Sequence, residues 1–282
     1  MIQIGLTGWR DHHSLYDDKV SKQDILTAYA SYFPVVEVDS SFYAIQPQRN
    51  FEKWLRETPE SFQFIVKAFQ GMTGHERGEH SYESKKEMFE AFVTSLEPLI
   101  GAKRLAMVLF QFPPWFDCKR KHVQYLRYCK EKLGSLPCAL EFRHQSWFES
   151  AYRQQTLKFM KDEGWIHSIC DEPQAGVGSI PTVLEATNEE KTLIRFHGRN
   201  VAGWNDTGQG NWRDVRYLYR YNHQELSVWK AYLEQLQKET KQIYVIFNNN
   251  SGGDAADNAR QLLEIMQIEY DDLAPRQLSL FD

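Results

Sequence analysis

Residues 138–147 read Cys-Ala-Leu-Glu-Phe-Arg-His-Gln-Ser-Trp. The apolar run reads as a buried strand, yet it ends in Glu141, Arg143 and His144. Side chains alternate across a strand, so Glu141 and Arg143 share one face and Phe142 takes the other. A carboxylate and a guanidinium at the end of an apolar strand must pair or hold a ligand, because unpaired burial of either ion costs several kcal/mol. The same signature recurs along the chain. Val35–Ser40 puts Glu37 and Asp39 on one face, Phe62–Lys67 ends in Lys67, and Arg104–Phe112 carries Gln111. Trp165–Asp171 closes on Asp171, Thr192–His197 holds Arg195 and His197, and Ile243–Asn248 ends in Asn248.

Between these strands the apolar period changes to that of a helix. Met88, Phe89, Phe92, Leu96 and Leu99 recur at three- and four-residue spacing, as do Leu226, Trp229, Leu233 and Leu236. With Ile2–Gly8 as the first strand, eight strands alternate with about seven helices. That pattern predicts an α/β fold: one closed parallel (β/α)8 barrel of the TIM type over residues 1–270, then a tail at 271–282. A doubly wound open sheet is the rival, but no G-x-G-x-x-G follows the first strand and no composition shift marks a second domain. Residues 172–190 read as loop.

The composition, 42% hydrophobic and 25% charged, is that of a globular protein. Its 33 basic and 38 acidic residues give a net charge of -5, so contact with a polyanion would need a local basic patch. Cys118, Cys129, Cys138 and Cys170 lack metal-ligand spacing and read as small buried hydrophobes in a reducing compartment. No apolar stretch reaches the ~20 residues that span a bilayer, and Met-Ile-Gln-Ile-Gly lacks the features of a signal peptide. The expectation is a cytoplasmic protein without a membrane partner.

Active sites of such barrels lie at the carboxyl ends of the strands. Strand parity predicts an inward set there of Glu37, Asp39, Lys67, Gln111, Glu141, Arg143, Asp171, Arg195, His197 and Asn248, with Val38, Val66, Phe110, Phe142, Phe196 and Phe247 facing the helices. In the catalytic reading, Glu37, Glu141 and Asp171 supply acid–base groups or bind one Mg²⁺ or Mn²⁺. Lys67 is a base or charge anchor and His197 a proton shuttle. Arg143 and Arg195 would clamp a phosphate or carboxylate, with Asp39, Gln111 and Asn248 as further ligand contacts. The alternative is a salt-bridge layer that satisfies itself. His75, His144 and the pair His12-His13 read as loop residues with surface or hydrogen-bonding roles. Asn248-Asn249-Asn250-Ser251-Gly252-Gly253-Asp254 leads into the last helix. Gly252 and Gly253 there could cradle a phosphate, or Asp254 could cap the helix. Trp204, Trp212, Tyr217, Tyr219 and Tyr221 could stack bases or sugars, or pack their own loop.

The strand ends Glu37–Tyr43 (EVDSSFY), Gln111–Pro114 (QFPP), Glu141–Trp147 (EFRHQSW), Arg195–Arg199 (RFHGR) and Phe247–Asn250 (FNNN), with Gly-x-Thr-Gly-Trp at 5–9, resemble the family called domain of unknown function 72, or YecE-like. The resemblance spans nearly the whole chain and implies a TIM barrel. It implies no assigned activity. Asp39 stands where the family pattern carries Asn. At the other end, Gln277-Leu278-Ser279-Leu280-Phe281 resembles the pentapeptide by which bacterial proteins dock on the β sliding clamp, with Gln277, Leu278, Leu280 and Phe281 as the contacts. The alternative is that these side chains pack back on the barrel. The resulting expectation is a phosphate-containing ligand, nucleic acid or nucleotide, at the barrel mouth of a DNA-processing hydrolase recruited through its tail. The alternatives are an enzyme acting on a small phosphorylated or acidic sugar-like metabolite, and a non-catalytic binding module.

Overall fold

A computed structural model describes residues 1–16, 20–75, 82–205 and 212–276, leaving out the side chains of 212 and 213. Its strands are β1 (Ile2–Thr7), β2 (Val35–Val38), β3 (Gln63–Lys67), β4 (Leu105–Gln111), β5 (Cys138–Glu141), β6 (Ile166–Asp171), β7 (Lys191–Phe196) and β8 (Gln242–Phe247). Each pairs in parallel with the next, and β8 closes on β1. The main helices are α1 (Ile25–Tyr29), α2 (Gln48–Arg56), α3 (Lys85–Ser95), α4 (Arg120–Leu133), α5 (Arg153–Asp162), α6 (His223–Leu236) and α7 (Ala255–Met266), with shorter helical turns in the loops. The link from β6 to β7 has no helix. This is the TIM-type barrel that the sequence pattern predicts.

Local chemistry explains where the helices begin. Ser84 accepts a hydrogen bond from the Glu87 amide at the start of α3, and Asn222 forms a reciprocal capping box with Glu225 at the start of α6. Outward strand residues Val38, Val66, Phe110, Phe142, Phe196 and Phe247 are buried in the layer between sheet and helices, as parity predicts. A second apolar cluster fills the barrel itself, with Val35, Ile65, Met107, Leu109, Ala139, Ile166, Leu193, Tyr244 and Ile246 among its members. Gly5 belongs to this interior because β1 and β2 come very close there. A Cβ at Gly5 would stand 2.1 Å from the Val35 carbonyl oxygen.

The interior is therefore apolar at mid-height, and the ionic strand ends form a separate layer above it. Lys191 closes the opposite end, donating to the Ala106 carbonyl at 2.8 Å. After α7 the chain crosses that lower face. The Tyr270 hydroxyl accepts from the Ile4 amide at 2.8 Å, the Ala274 amide donates to Ala30, and Arg276 lies over the Tyr32 ring. The tail contacts expected at Gln277, Leu278, Leu280 and Phe281 lie outside the described residues. Among the described residues, no helix is long and apolar enough to cross a membrane. The four cysteines are free, and three of them are buried.

Candidate functional site at the barrel mouth

The ionic strand ends meet, but not all of them face open space. Arg195 on β7 lies at the centre. Its Nε and Nη2 donate to Glu37 at 2.9 and 2.6 Å, and its Nη1 donates to Glu141 at 2.9 and 3.1 Å. Arg143, two residues beyond Glu141, reaches Glu141 and Glu172, each at 2.6 Å. These side chains are at most 2% exposed. Both guanidiniums are thus committed to carboxylates, and all three Arg195 nitrogens donate to Glu37 or Glu141, which leaves no fork for a phosphate clamp. For Glu37, Glu141, Arg143 and Arg195 the arrangement is a paired ionic layer, in which the buried Arg143 Nε has no partner among the described residues. Breaking such a pair from one side leaves an uncompensated buried charge, which is why the layer holds together.

His197 is enclosed in the same layer. Arg143 Nη2 donates to its Nε2 at 2.9 Å, which places the ring proton on Nδ1; the Asn248 side-chain amide lies 3.0 Å from Nδ1, and its oxygen must be the end that accepts this proton. Burial, Arg143 and Arg195 hold its pKa well below the ordinary value, so His197 stays neutral and is no proton shuttle near pH 7. Burial opposes ionisation of Glu141, but Arg195 and Arg143 overcome it and hold that carboxyl far below its usual range. Glu172 goes the other way. Burial outweighs Arg143 and pushes it up to about 7.

Asp171 corrects the parity expectation. In the register of β6 with β7, Cys170 is level with Arg195 and Asp171 with the outward Phe196. Asp171 accordingly points to the helix layer, where it accepts hydrogen bonds from Trp229 Nε1, the Tyr221 hydroxyl and Arg199. The inward places belong to Ser168, which donates to Glu141 at 3.1 Å, to Cys170 and to Glu172. Sequence reading missed Glu172 because it follows the strand. Counting parity on from Ser168 would have found it.

Glu141, Cys170 and His197 bring one ligand atom each within 4.8 Å of one another. The set fits Mg²⁺ or Mn²⁺ poorly. Both Glu141 oxygens already accept from guanidiniums, and Arg143 occupies the imidazole nitrogen. Burial, with Glu141 next, keeps the Cys170 thiol protonated.

The layer is roofed on the β5–β7 side. The Glu172 carboxylate accepts from the Ile180 amide, the Gln145 amide donates to Val177, and Trp204 Nε1 donates to Gly178. Trp204 also lies over the Arg143 guanidinium, and Arg216 over Trp204. Tyr219 and Tyr221 are spent on their own surroundings, bonding Glu225 and Asp171.

The other arc, from β8 through β1 to β4, has no such roof among the described residues. Thr7, Asp39, Lys67, Gln111 and Asn248 are all partly exposed. Lys67 donates to Asp39 at 2.8 Å and sits over the Phe42 ring. Burial opposes both charges, yet each partner stabilises the other: Asp39 is held below its usual pKa and Lys67 above. Beyond Phe42 come His75 and Trp115, with ring centroids 5.1 and 5.9 Å apart in succession. Burial, then Lys67 and Arg143, pushes His75 down to about 4. His75 therefore belongs to this mouth rather than to a remote surface loop. Gly252 is exposed and Gly253 partly exposed, with nothing within 4 Å of a Cβ built on Gly253. A Cβ on Gly252 would meet Leu218 at 2.6 Å and the Asp254 carboxylate at 3.1 Å, and Asp254 itself pairs with Arg220 without capping α7 through its side chain.

Comparison with known proteins agrees with this architecture. The chain is 65% identical over its full length to the UPF0759 protein YunF of Bacillus subtilis, whose whole length it covers. It resembles the crystal structure of a DUF72 family protein from Enterococcus faecalis, with a TM-score of 0.92 and 39% identity over 99% of this chain and 100% of that one. A DUF72 family protein from Thermotoga maritima gives a TM-score of 0.80 and 31% identity over 95% and 100% of the two chains. Residues 3–279 match the sequence profile described as protein of unknown function DUF72, and the chain belongs to that family.

Proposed function

We propose that the open arc of the barrel mouth binds a small polar metabolite, and that the sealed ionic layer is its rigid electrostatic floor. One observation carries this reading. Asp39, Lys67, Gln111 and Asn248, at or just beyond the ends of β2, β3, β4 and β8, stay partly exposed beside an aromatic corner, whereas the ionic groups of β5 to β7 are buried and paired with one another and with Glu37 of β2. Charge favours a small ligand over a polynucleotide. Glu37 and Glu141 pair with Arg195 and Arg143, and Asp39 with Lys67, so most of the positive charge at the mouth is already met by carboxylates of the same chain and little is left to attract a phosphate backbone.

The test is calorimetric titration of the full chain with nucleosides, nucleotides, sugars, sugar phosphates and short duplex DNA. Binding by a small molecule, weakened roughly tenfold by Lys67→Ala, is the expected result. Binding by DNA alone, falling steeply with salt, would instead favour nucleic-acid processing.

That second reading draws on the sequence Gln277–Phe281. The chain reaches Arg276 on the face opposite the mouth. A clamp docked on the tail would leave the mouth unobstructed. Capture on the immobilised sliding clamp, with and without residues 277–281, tests it; equal retention of both forms removes its support.

A further inference from the structure

We infer that the ligand of the open arc is an uncharged polyhydroxylated ring, a monosaccharide or cyclitol, held edge-on by strand-end side chains and flanked by the aromatic corner. The inference rests on the small-metabolite reading and narrows it to a chemical class. It comes from an inventory of hydrogen-bonding capacity. Thr7 is level with Glu37 at the barrel mouth, but its hydroxyl oxygen is buried and is not counted among the groups a ligand can reach. Gln111 is level with Glu141, and its amide has no protein partner among the described residues. Asn248 spends one end of its amide on His197, and Asp39 one carboxylate oxygen on Lys67. The remainder is one amide and part of another, a carboxylate oxygen and ammonium protons, a mixture of donors and acceptors.

That mixture matches hydroxyl groups, each of which donates once and accepts twice. It does not match a phosphate or carboxylate, which offers acceptors only and would be repelled by Asp39. Nor does it call for a cation, since Lys67 already neutralises the carboxylate. The aromatic corner supplies the other half of sugar recognition. Trp115 is 51% exposed and Tyr43 63% exposed, and both lead through Phe42 and His75 to Lys67. Their faces can cover the C–H surface of a ring whose hydroxyls point to the strand ends. Neighbouring strands lie about 4.8 Å apart, so groups on adjacent strand ends are spaced to meet successive ring substituents.

The experiment is saturation-transfer NMR and calorimetry on the full chain, with neutral aldoses, ketoses and inositol against the corresponding phosphates and against nucleosides. Neutral sugars should bind. Gln111→Leu and Asp39→Asn should each weaken them roughly tenfold or more, with the unfolding midpoint of Gln111→Leu unchanged, and deoxy analogues should lose comparable affinity. If phosphorylated compounds bind and their neutral parents do not, the ligand class is wrong while the open-arc site stands. If no small molecule from any group binds, both fall. Binding that survives Gln111→Leu and Asp39→Asn unchanged would overturn the inference as well.

Discussion

The two arcs of the rim are built from the same kinds of residue and do different things with them. On the β5–β7 arc, carboxylates and guanidiniums are buried, paired and roofed by residues 172–180 and Trp204. On the β8–β4 arc a single Lys67–Asp39 pair is left at the surface, with side-chain exposures of 12% and 32%, among groups that still have hydrogen bonds to give. An ionisable residue at a strand end is therefore not in itself a sign of chemistry. What separates a scaffold from a site is whether its partners already come from the same chain.

The sharpest way to break this contrast is to cut the sealed layer. Glu141→Ala removes a partner from both Arg143 and Arg195 and should cost about 3–5 kcal/mol in urea unfolding. A loss below about 1 kcal/mol would mean that the layer is not a structural unit.

The next effect depends on pH. Glu172 is pushed up to about 7 by burial, so the folded chain holds a proton that the unfolded chain releases near the ordinary carboxylate value. Its contribution is present at acid pH and is lost as pH rises through about 7. Glu172→Gln should remove this slope, improving relative to the parent by about 2 kcal/mol between pH 5 and pH 8. Parallel stability curves for the two proteins would contradict the assignment.

Lys67→Ala on the open arc should cost only about 1 kcal/mol of stability while lowering ligand affinity roughly tenfold. Comparing the unfolding midpoint with the binding isotherm checks the split. Trp115→Ala should leave stability within about 0.5 kcal/mol and reduce only the affinity. A destabilisation as large as that of Glu141→Ala would put Trp115 in the scaffold.

The barrel was readable because its evidence is periodic. Each strand is a short apolar run, each long helix has its stripe, and the outward Val38, Phe110, Phe142 and Phe247 fell where alternation put them. The candidate site was only half readable. Glu37, Glu141, Arg143, Arg195 and His197 do converge, but β6 reads Ile-His-Ser-Ile-Cys-Asp with polar and apolar residues on both faces. Either face of β6 can pass for the inward one, so parity counted from Asp171 points the wrong way and passes over Glu172. The roof was hidden for another reason. It depends on contacts such as Gln145 with Val177 and Glu172 with Ile180, made by a segment with no period at all. His75 reaches the mouth through a turn, its amide donating back to Gln70, and loop position alone cannot show that.

The clasp that Tyr270, Ala274 and Arg276 make across the lower face has a practical consequence. It fixes the chain's exit at the pole opposite the mouth. A fluorophore, bead or sensor surface joined beyond Arg276 would be attached on the far side of the barrel from the binding arc, and so clear of whatever that arc takes up.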